Sequence, residues 1–313
     1  SGFVQVFFEI NGPFKIFNGF IIWFQREGEP GLTGLFNNRN YASLWFTILW
    51  PICLAILSQR KNGSKFFIYI FSISIISSIY LTFSRNGLLN LFLSSLILSK
   101  ESLSIWLFLF LILFITLLIA AVTNIYPLSL KEFAINILPS KLIARFSIFE
   151  NLEVFTSNAR FSIWQSALVF IKERPFLGWG AASFPILYNT KHDVCCYKSY
   201  LQSYAHAHNI QLEMALNYGI PFSFIINTTL IIIFYKSFKK IFIFKKKDKS
   251  LEEINLNKFE KAWWTASFTF FFSQLFDLQY YDFRLSIIFW IFISGLIINL
   301  QDSKEKTINY PEI

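Results

Sequence analysis

Residues 158 to 219 contain side chains of the types that bind an anion and transfer a proton. Arg160 stands four residues before Trp164, so in a helix the two side chains share a surface. His208 and Asn209 stand at the start of the next apolar segment. A guanidinium can bind two phosphate oxygens at once, and an imidazole takes up a proton near neutral pH. Together these residues predict a site that holds an anionic group and moves a proton.

Two local elements are predicted to position these side chains. An amphipathic helix begins near residue 158 and ends at Pro175, and one of its faces carries Phe161, Trp164, Leu168 and Ile171. The turn after it contains Gly178 and Gly180, and glycines let the backbone come close to a ligand. The site is therefore predicted to combine a helix, a glycine turn and the start of a further helix.

The same residues carry a resemblance to the bacterial O-antigen ligase and O-antigen polymerase family. The family signature runs Arg, Trp, Pro-Leu-Gly-x-Gly and then His-Asn before a helix that ends in Gly, and its positions here are Arg160, Trp164, Pro175, Leu177, Gly178, Gly180, His208, Asn209 and Gly219. Residues 31–43 look like the Gly-x-Phe-x-x-x-Asn start of a helix, which places its last residue at Asn40. Ser84 to Gly87 look like the family's Ser-Arg-x-Gly element. The resemblance covers the chain from residue 31 to about residue 295.

One position departs from the family pattern. Members often carry an acidic residue two positions before the glycine that follows His-Asn, whereas this chain has Asn217 there and its acid at Glu213. The resemblance therefore assigns no role to either residue.

The composition is that of an integral membrane protein. Of 313 residues, 54% are hydrophobic and 15% are charged, and the mean hydropathy of +0.48 exceeds that of a soluble domain. A helix needs about 20 apolar residues to cross a bilayer. Runs of about that length lie near residues 41–58, 65–83, 103–126, 209–235, 262–281 and 283–300, with a shorter one at 86–99. We predict an all-α, polytopic transmembrane helical bundle of about seven spans.

Basic residues orient the predicted spans. Arginine and lysine are frequent in the connection 60–65, occur at Lys100, and are dense in the segment 236–249. Cytoplasmic loops of membrane proteins are rich in these residues, so these three connections are expected in the cytoplasm, and the net charge of +9 does not indicate nucleic-acid binding. The opposite, periplasmic face then receives the long loop 127–208 and the motif residues Asn40, Arg85, Asp277 and Arg284.

The predicted organisation has three parts. They are an N-terminal part with transmembrane spans at 1–126, a large, partly helical periplasmic loop at 127–208, and C-terminal spans at 209–313 with a lysine-rich cytoplasmic loop at 236–261. Family members usually carry more spans before the first motif, and the chain begins at Ser1 rather than at a methionine. We therefore expect a chain truncated at its N-terminus.

Other residues in the large loop carry weaker predictions. Cys195 and Cys196 are adjacent and lack the spacing of a metal site, so packing or an exposed thiol pair is favoured over a redox or intermolecular role. His206 is an alternate for His208. His192 with Asp193 is a further alternate, and a His/His/Asp metal site is disfavoured because no helical i, i+4 pairing is present.

The resemblance implies a membrane glycosyltransferase. Similar proteins move a glycan from undecaprenyl pyrophosphate to an acceptor hydroxyl, with inversion at the anomeric carbon. No metal or other cofactor is expected if arginines carry the charge of the leaving group. His208 would position or deprotonate the acceptor, while Arg85 and Arg160 would stabilise the departing pyrophosphate. Substrate contacts are expected from Asn209, Trp164, Gly178, Gly180, Asn40, Asp277 and Arg284. The implied location is the bacterial inner membrane, surrounded by membrane lipids, with the active site facing the periplasm.

Several alternatives stay open at the level of the sequence. The acceptor would be lipid A-core for a ligase, which is favoured, another lipid-linked repeat for a polymerase, or a protein hydroxyl for an O-oligosaccharyltransferase. A transporter or flippase for polyprenyl-linked sugars would tend to carry inverted repeats and spans broken by Gly or Pro. Arg85 and Arg160 could instead anchor in phospholipid headgroups, and His208 could cap a helix. Arg284 could simply form an ion pair with Asp282.

Overall fold

The computed structural model describes residues 2–9, 14–19, 21–23, 31–36, 38–59, 65–98, 101–138, 140, 143, 159–191, 205–243 and 251–308. Its helices are α1 (Gly2–Phe8), α2 (Arg39–Gln59), α3 (Lys65–Leu81), α4 (Arg85–Leu98), α5 (Glu101–Val122), α6 (Leu128–Ile137), α7 (Ala159–Glu173), α8 (Phe184–Lys191), α9 (Ile210–Tyr218), α10 (Ile220–Phe238), α11 (Leu251–Ser273) and α12 (Phe283–Ile308). Strands β1 (Phe14–Ile16) and β2 (Ile21–Trp23) pair antiparallel in a short hairpin. The described part of the chain is helical apart from this hairpin, in agreement with the predicted all-α class.

Three helices in the described residues are long and apolar enough to cross a membrane. They are Arg39–Ser58 of α2, Ile220–Ile243, which is α10 with its π-helical extension, and Phe283–Gln301 of α12. Shorter apolar helical stretches are Phe66–Leu81 and Ile112–Val122. The protein is therefore of the helical membrane type, and the count of seven spans stays a prediction.

The first of two compact units comprises Ser1–Leu98, Asn209–Gln211 and Pro221–Ile313. Its main core is built from apolar residues of α2, α10, α11 and α12, among them Leu44, Ile48, Phe234, Phe270, Phe289 and Leu296. The short segment predicted at 86–99 forms α4, which buries Asn86, Asn90 and Ser94. Polar side chains of this kind favour packing against protein over packing against lipid, so α4 packs among the other helices of this unit.

Helices of the first unit begin at polar side chains that accept main-chain N–H groups. These N-caps are Asn38, which accepts from Asn40 at 2.8 Å, Ser84, which accepts from Gly87 at 3.3 Å, and Asp282, which accepts from Arg284 at 3.0 Å. Gly87 also lets α4 approach α2, because a Cβ atom there would overlap the side chain of Ser43. Part of the sequence pattern in these motifs is therefore explained by helix starts and close packing.

The second unit comprises Ser99–His208 and Leu212–Ile220. One cluster joins α5 to α6 through Ala120, Ala121 and Ala134. A second cluster joins α7, α8 and the end of α9, and its fully buried members are Ile163, Ala167, Phe184, Ala207 and Leu216. The amphipathic helix predicted before Pro175 is therefore present as α7.

The buried face of α7 differs from the predicted one. Ile171 is buried and Trp164 is half-buried, but Phe161 and Leu168 are exposed at 37% and 47%. Ile163 and Ala167 are buried instead, because they pack against Phe184 and other members of the same cluster. The expected apolar face is thus rotated by part of a turn around the helix.

The predicted span 209–235 is not one helix. Gly219 has a φ of +87° and separates α9 from α10. Pro221 follows in the first turn of α10, where the missing N–H of proline costs no helical hydrogen bond. The apolar helix therefore begins at Ile220, and α9 is a separate two-turn element before it.

Candidate functional site

Arg160 and Trp164 lie in the first turns of α7, in the second unit. Arg160 is half-buried, and Trp164 packs against the cluster that contains Ile163 and Phe184. The indole nitrogen of Trp164 is buried and has no hydrogen-bond partner among the described residues. The helix therefore presents the predicted arginine beside a tryptophan, as the spacing requires.

Main-chain hydrogen bonds join the glycine turn, residues 175–180, to the junction of α9 and α10. The N–H of Trp179 donates to the carbonyl of Leu216 at 2.8 Å, and the N–H of Gly180 donates to the carbonyl of Asn217 at 2.9 Å. The N–H of Ile220 donates back to the carbonyl of Pro175 at 2.7 Å. These bonds join two segments of the second unit that stand well apart in the sequence.

Two glycines of this junction are required by packing. Gly178 has a φ of +67°, and a Cβ atom there would lie 2.6 Å from the backbone of Asn217. A Cβ atom at Gly219 would overlap the carbonyl group of Phe176. A structural reason therefore accounts for both glycines, and the substrate contact predicted for Gly178 stays a prediction.

Gly180 differs from these two glycines. It is exposed and has a φ of +99°, and no described atom lies within 4 Å of the position of a Cβ. Nearby, the guanidinium of Arg174 lies 4.1 Å from the ring centre of Trp179, which agrees with a structural role for that arginine. Of the two predicted glycines, Gly180 is the one with room for a ligand beside its backbone.

His206 and His208 lie in a tight turn before α9. His208 has a φ of +52°, and its N–H donates to Nδ1 of His206 at 3.2 Å. The two rings lie 4.2 Å apart between centroids. A main-chain N–H can donate only to an unprotonated ring nitrogen, so neutral His206 carries its proton on Nε2. His208 thus occupies a left-handed position outside the helix, with its ring half-buried.

Glu213 holds this turn from the first turn of α9. Its side chain is 3% exposed, and Oε2 accepts the N–H of Ala207 at 2.8 Å. Oε1 accepts the side-chain amide of Asn217 at 3.2 Å. Sequence reasoning gave neither residue a role, although their i, i+4 spacing was a signal that they share one helix face.

A second group of predicted residues meets in the first unit. The amide of Asn40 donates to Oδ2 of Asp277 at 2.5 Å, and the hydroxyl of Ser84 donates to Oδ1 of Asn40 at 2.9 Å. Oδ1 of Asp277 accepts the N–H of Leu278 at 3.0 Å. Arg85 follows Ser84 as the first residue of α4 and is exposed. Three segments that are distant in sequence, each predicted to carry part of the site, are thus joined by hydrogen bonds.

Asn209 and Arg284 also belong to the first unit. The amide of Asn209 donates to the carbonyl of Leu275 at 2.9 Å. Arg284 binds both carboxylate oxygens of Asp282 and donates to the carbonyl of Leu35 at 2.8 Å. The local ion pair expected for Arg284 is confirmed, and its contact with substrate stays a prediction.

The structure thus distributes the predicted residues over its two units. Arg85, Asn40, Asp277, Asn209 and Arg284 belong to the first unit, and Arg160, Trp164, Gly178, Gly180 and His208 belong to the second. The loop residues His192, Asp193, Cys195 and Cys196 lie outside the described residues.

A family model described as O-antigen ligase matches residues 70–226, half of the chain. No curated protein and no solved structure matches the chain significantly. The matched range includes Arg85, Arg160 and His208, whereas Asn40 and Asp277 lie outside it.

Proposed function

Because the chain belongs to the O-antigen ligase family, a family of membrane glycosyltransferases, we propose that it transfers a glycan from undecaprenyl pyrophosphate to an acceptor hydroxyl. The acceptor in this proposal is lipid A-core. The observation that carries the proposal is the turn of His206 to His208, which lies inside the matched range and holds an imidazole outside the helix. A histidine placed in this way is suited to proton transfer with a bound hydroxyl.

The proposed reaction is a single displacement. The acceptor oxygen forms a bond to the anomeric carbon while the bond from that carbon to the pyrophosphate oxygen breaks. The hydroxyl proton passes to His208, and the electron pair of the broken bond stays on the pyrophosphate. Attack from the face opposite the leaving group inverts the anomeric carbon.

Two arginines are proposed to stabilise the leaving pyrophosphate. Arg160 lies on α7 of the second unit, and Arg85 opens α4 of the first unit. A guanidinium presents paired donors to phosphate oxygens, so it can carry charge stabilisation that other enzymes obtain from a divalent cation. The shared role of these arginines rests on their match to the family motifs.

The proposed topology has about seven spans, with loop 127–208 and the active site on the periplasmic side of the bacterial inner membrane. Support comes from the lysine-rich segment 236–249, which begins in the last turns of the apolar helix Ile220–Ile243. The loop that precedes this helix would then lie on the opposite side.

A transporter is the competing class of function. Its expected feature, a span broken by Gly or Pro, has a counterpart at Gly219 and Pro221. This break lies at the start of the apolar helix Ile220–Ile243 and not at its middle, so it is unlike a binding site at the middle of a membrane. The break therefore does not favour transport over transfer.

The test is reconstitution of the full chain in liposomes with a labelled glycan on undecaprenyl pyrophosphate. Reactions with and without lipid A-core separate the candidate acceptors. Transfer of label to lipid A-core is the expected result. Growth of the lipid-linked glycan without lipid A-core would instead identify a polymerase, and label that only crosses the bilayer would identify a transporter.

A further inference from the structure

Glu213 is a buried carboxylate that the proposed reaction does not use. It is 3% exposed, and its two oxygens accept hydrogen bonds from different parts of the second unit. Burying a carboxylate is costly unless its oxygens are well bonded. The bonds that Glu213 makes therefore indicate what the residue is for.

One bond of Glu213 reaches the histidine turn. Its acceptor Oε2 lies 2.8 Å from the main-chain nitrogen of Ala207, the residue between His206 and His208. The next residue, His208, has a φ of +52°, a conformation that side-chain-bearing residues keep when their surroundings hold it. Glu213 thus ties α9 to the centre of a strained turn.

The other bond of Glu213 reaches the glycine turn through Asn217. The side-chain amide of Asn217 donates to Oε1 of Glu213, and its Oδ1 accepts the hydroxyl of Ser183 at 3.2 Å. The main-chain carbonyl of Asn217 accepts the N–H of Gly180. A continuous set of hydrogen bonds therefore links the turn at Gly180 to the turn at His208.

We propose that Glu213 is a positioning residue, whose carboxylate holds the His206–Ala207–His208 turn, and that Asn217 braces this carboxylate against the glycine turn. The functional consequence rests on the proposed function, because it assumes that His208 receives the acceptor proton. What matters in this proposal is hydrogen-bond acceptance at two oxygens, with the negative charge secondary.

Substitutions at Glu213 can separate the effect of hydrogen-bond acceptance from the effect of the negative charge. Glu213→Leu removes both acceptors and leaves the buried N–H of Ala207 without its partner. Glu213→Gln keeps an oxygen that accepts the N–H of Ala207. The side-chain amide of Asn217 can turn over, so that its oxygen accepts from the new glutamine amide and its N–H donates to the hydroxyl oxygen of Ser183. The leucine variant should therefore release the turn, and the glutamine variant should retain it.

The first readout is independent of enzyme activity. Diethylpyrocarbonate modifies accessible imidazoles, and mass spectrometry separates modification at His206 and His208. In Glu213→Leu these histidines should be modified about tenfold faster, the effect expected from losing one buried hydrogen bond. Leu216→Ala is the matched control, because it removes buried apolar atoms from the same helix without changing a bond to the turn.

Three results would overturn the proposal. They are wild-type reactivity of the histidines in Glu213→Leu, equally fast modification in Glu213→Leu and Leu216→Ala, and equally fast modification in the leucine and glutamine variants. If Glu213→Leu does not fold, Glu213→Gln with Ser183→Ala replaces it, because Asn217 then loses the hydroxyl that accepts its turned amide. Modification no faster than in Glu213→Gln alone would also overturn the proposal.

The second readout is transfer from the labelled donor. In Glu213→Leu, kcat should fall toward that of a His208 variant while KM for the donor stays unchanged, and Glu213→Gln should keep most of the rate. A general loss of structure would instead change both constants. If the wild-type protein shows no transfer, the proposed function fails, but modification of the histidines still tests the role of Glu213.

Discussion

Gly219→Ala should destabilise the protein far more than Gly180→Ala, although both glycines have positive φ angles of +87° and +99°. A Cβ atom at position 219 would overlap the carbonyl of Phe176 and lie 3.0 Å from the nitrogen of Leu177. At position 180 it would meet no described atom within 4 Å. Both substitutions therefore strain the backbone, but only the Cβ atom at position 219 comes too close to neighbouring backbone atoms.

The difference can be estimated from the contacts at each site. A left-handed backbone costs a residue with a Cβ about 1–2 kcal/mol, which is the whole loss expected for Gly180→Ala. Gly219→Ala adds about 1–3 kcal/mol for inserting an atom into packed structure. It adds about 1 kcal/mol more if the bond from Ile220 to Pro175 is broken. The expected gap of about 1–4 kcal/mol is a large part of the stability of an ordinary protein.

Tryptophan fluorescence can measure this gap, since the chain has nine tryptophans. Both variants would be purified in one detergent and unfolded with the same denaturant. Equal losses of stability, or a larger loss in Gly180→Ala, would refute the argument from close packing. Transfer activity gives a second comparison, because Gly180→Ala should reduce transfer even though it destabilises the protein less than Gly219→Ala, if a ligand lies beside its backbone.

Three further outcomes are expected. Arg160→Lys should lose most transfer activity at matched membrane abundance, because it keeps the charge but loses the paired donors; near-native transfer would indicate a headgroup anchor. Asp277→Ala should lower the free energy of unfolding by about 1–3 kcal/mol, because it removes the acceptor of the Asn40 amide, and unchanged stability would contradict the described bond. Single cysteines at Ile186, an exposed position near Tyr188, and at Lys246 should be labelled from opposite sides of the membrane, and labelling from one side would refute the proposed topology.

Hydropathy predicted some helix bounds better than others. The runs at 41–58, 65–83 and 86–99 correspond to α2, α3 and α4 within two residues at each end, whereas the run at 262–281 differs from α11, which begins at Leu251 and ends at Ser273. The break at Gly219 was missed because glycine is tolerated inside membrane helices and hydropathy carries no information on φ. The sequence Gly219, Ile220, Pro221 was the available signal.

The candidate site was predictable in part. The predicted spans and their basic loops predict that Asn40 and Asp277 lie on the same side of the membrane. In the structure these two residues form a hydrogen bond. The role of Glu213 was not predictable, because it depends on a left-handed residue at His208 that brings Ala207 to the carboxylate. Sequence periodicity describes helix faces and cannot describe turns of this kind.

The most direct test of the central claim is transfer by His208→Asn in liposomes, compared with the wild type at equal donor occupancy. Asparagine tolerates the left-handed backbone better than alanine, so this substitution removes the imidazole with little added strain. Proton transfer by a side chain contributes about 10²- to 10⁴-fold to a rate, and a loss of that size with unchanged donor binding is the predicted result. Transfer at the wild-type rate, or loss of donor binding together with the rate, would contradict the claim that His208 handles the acceptor.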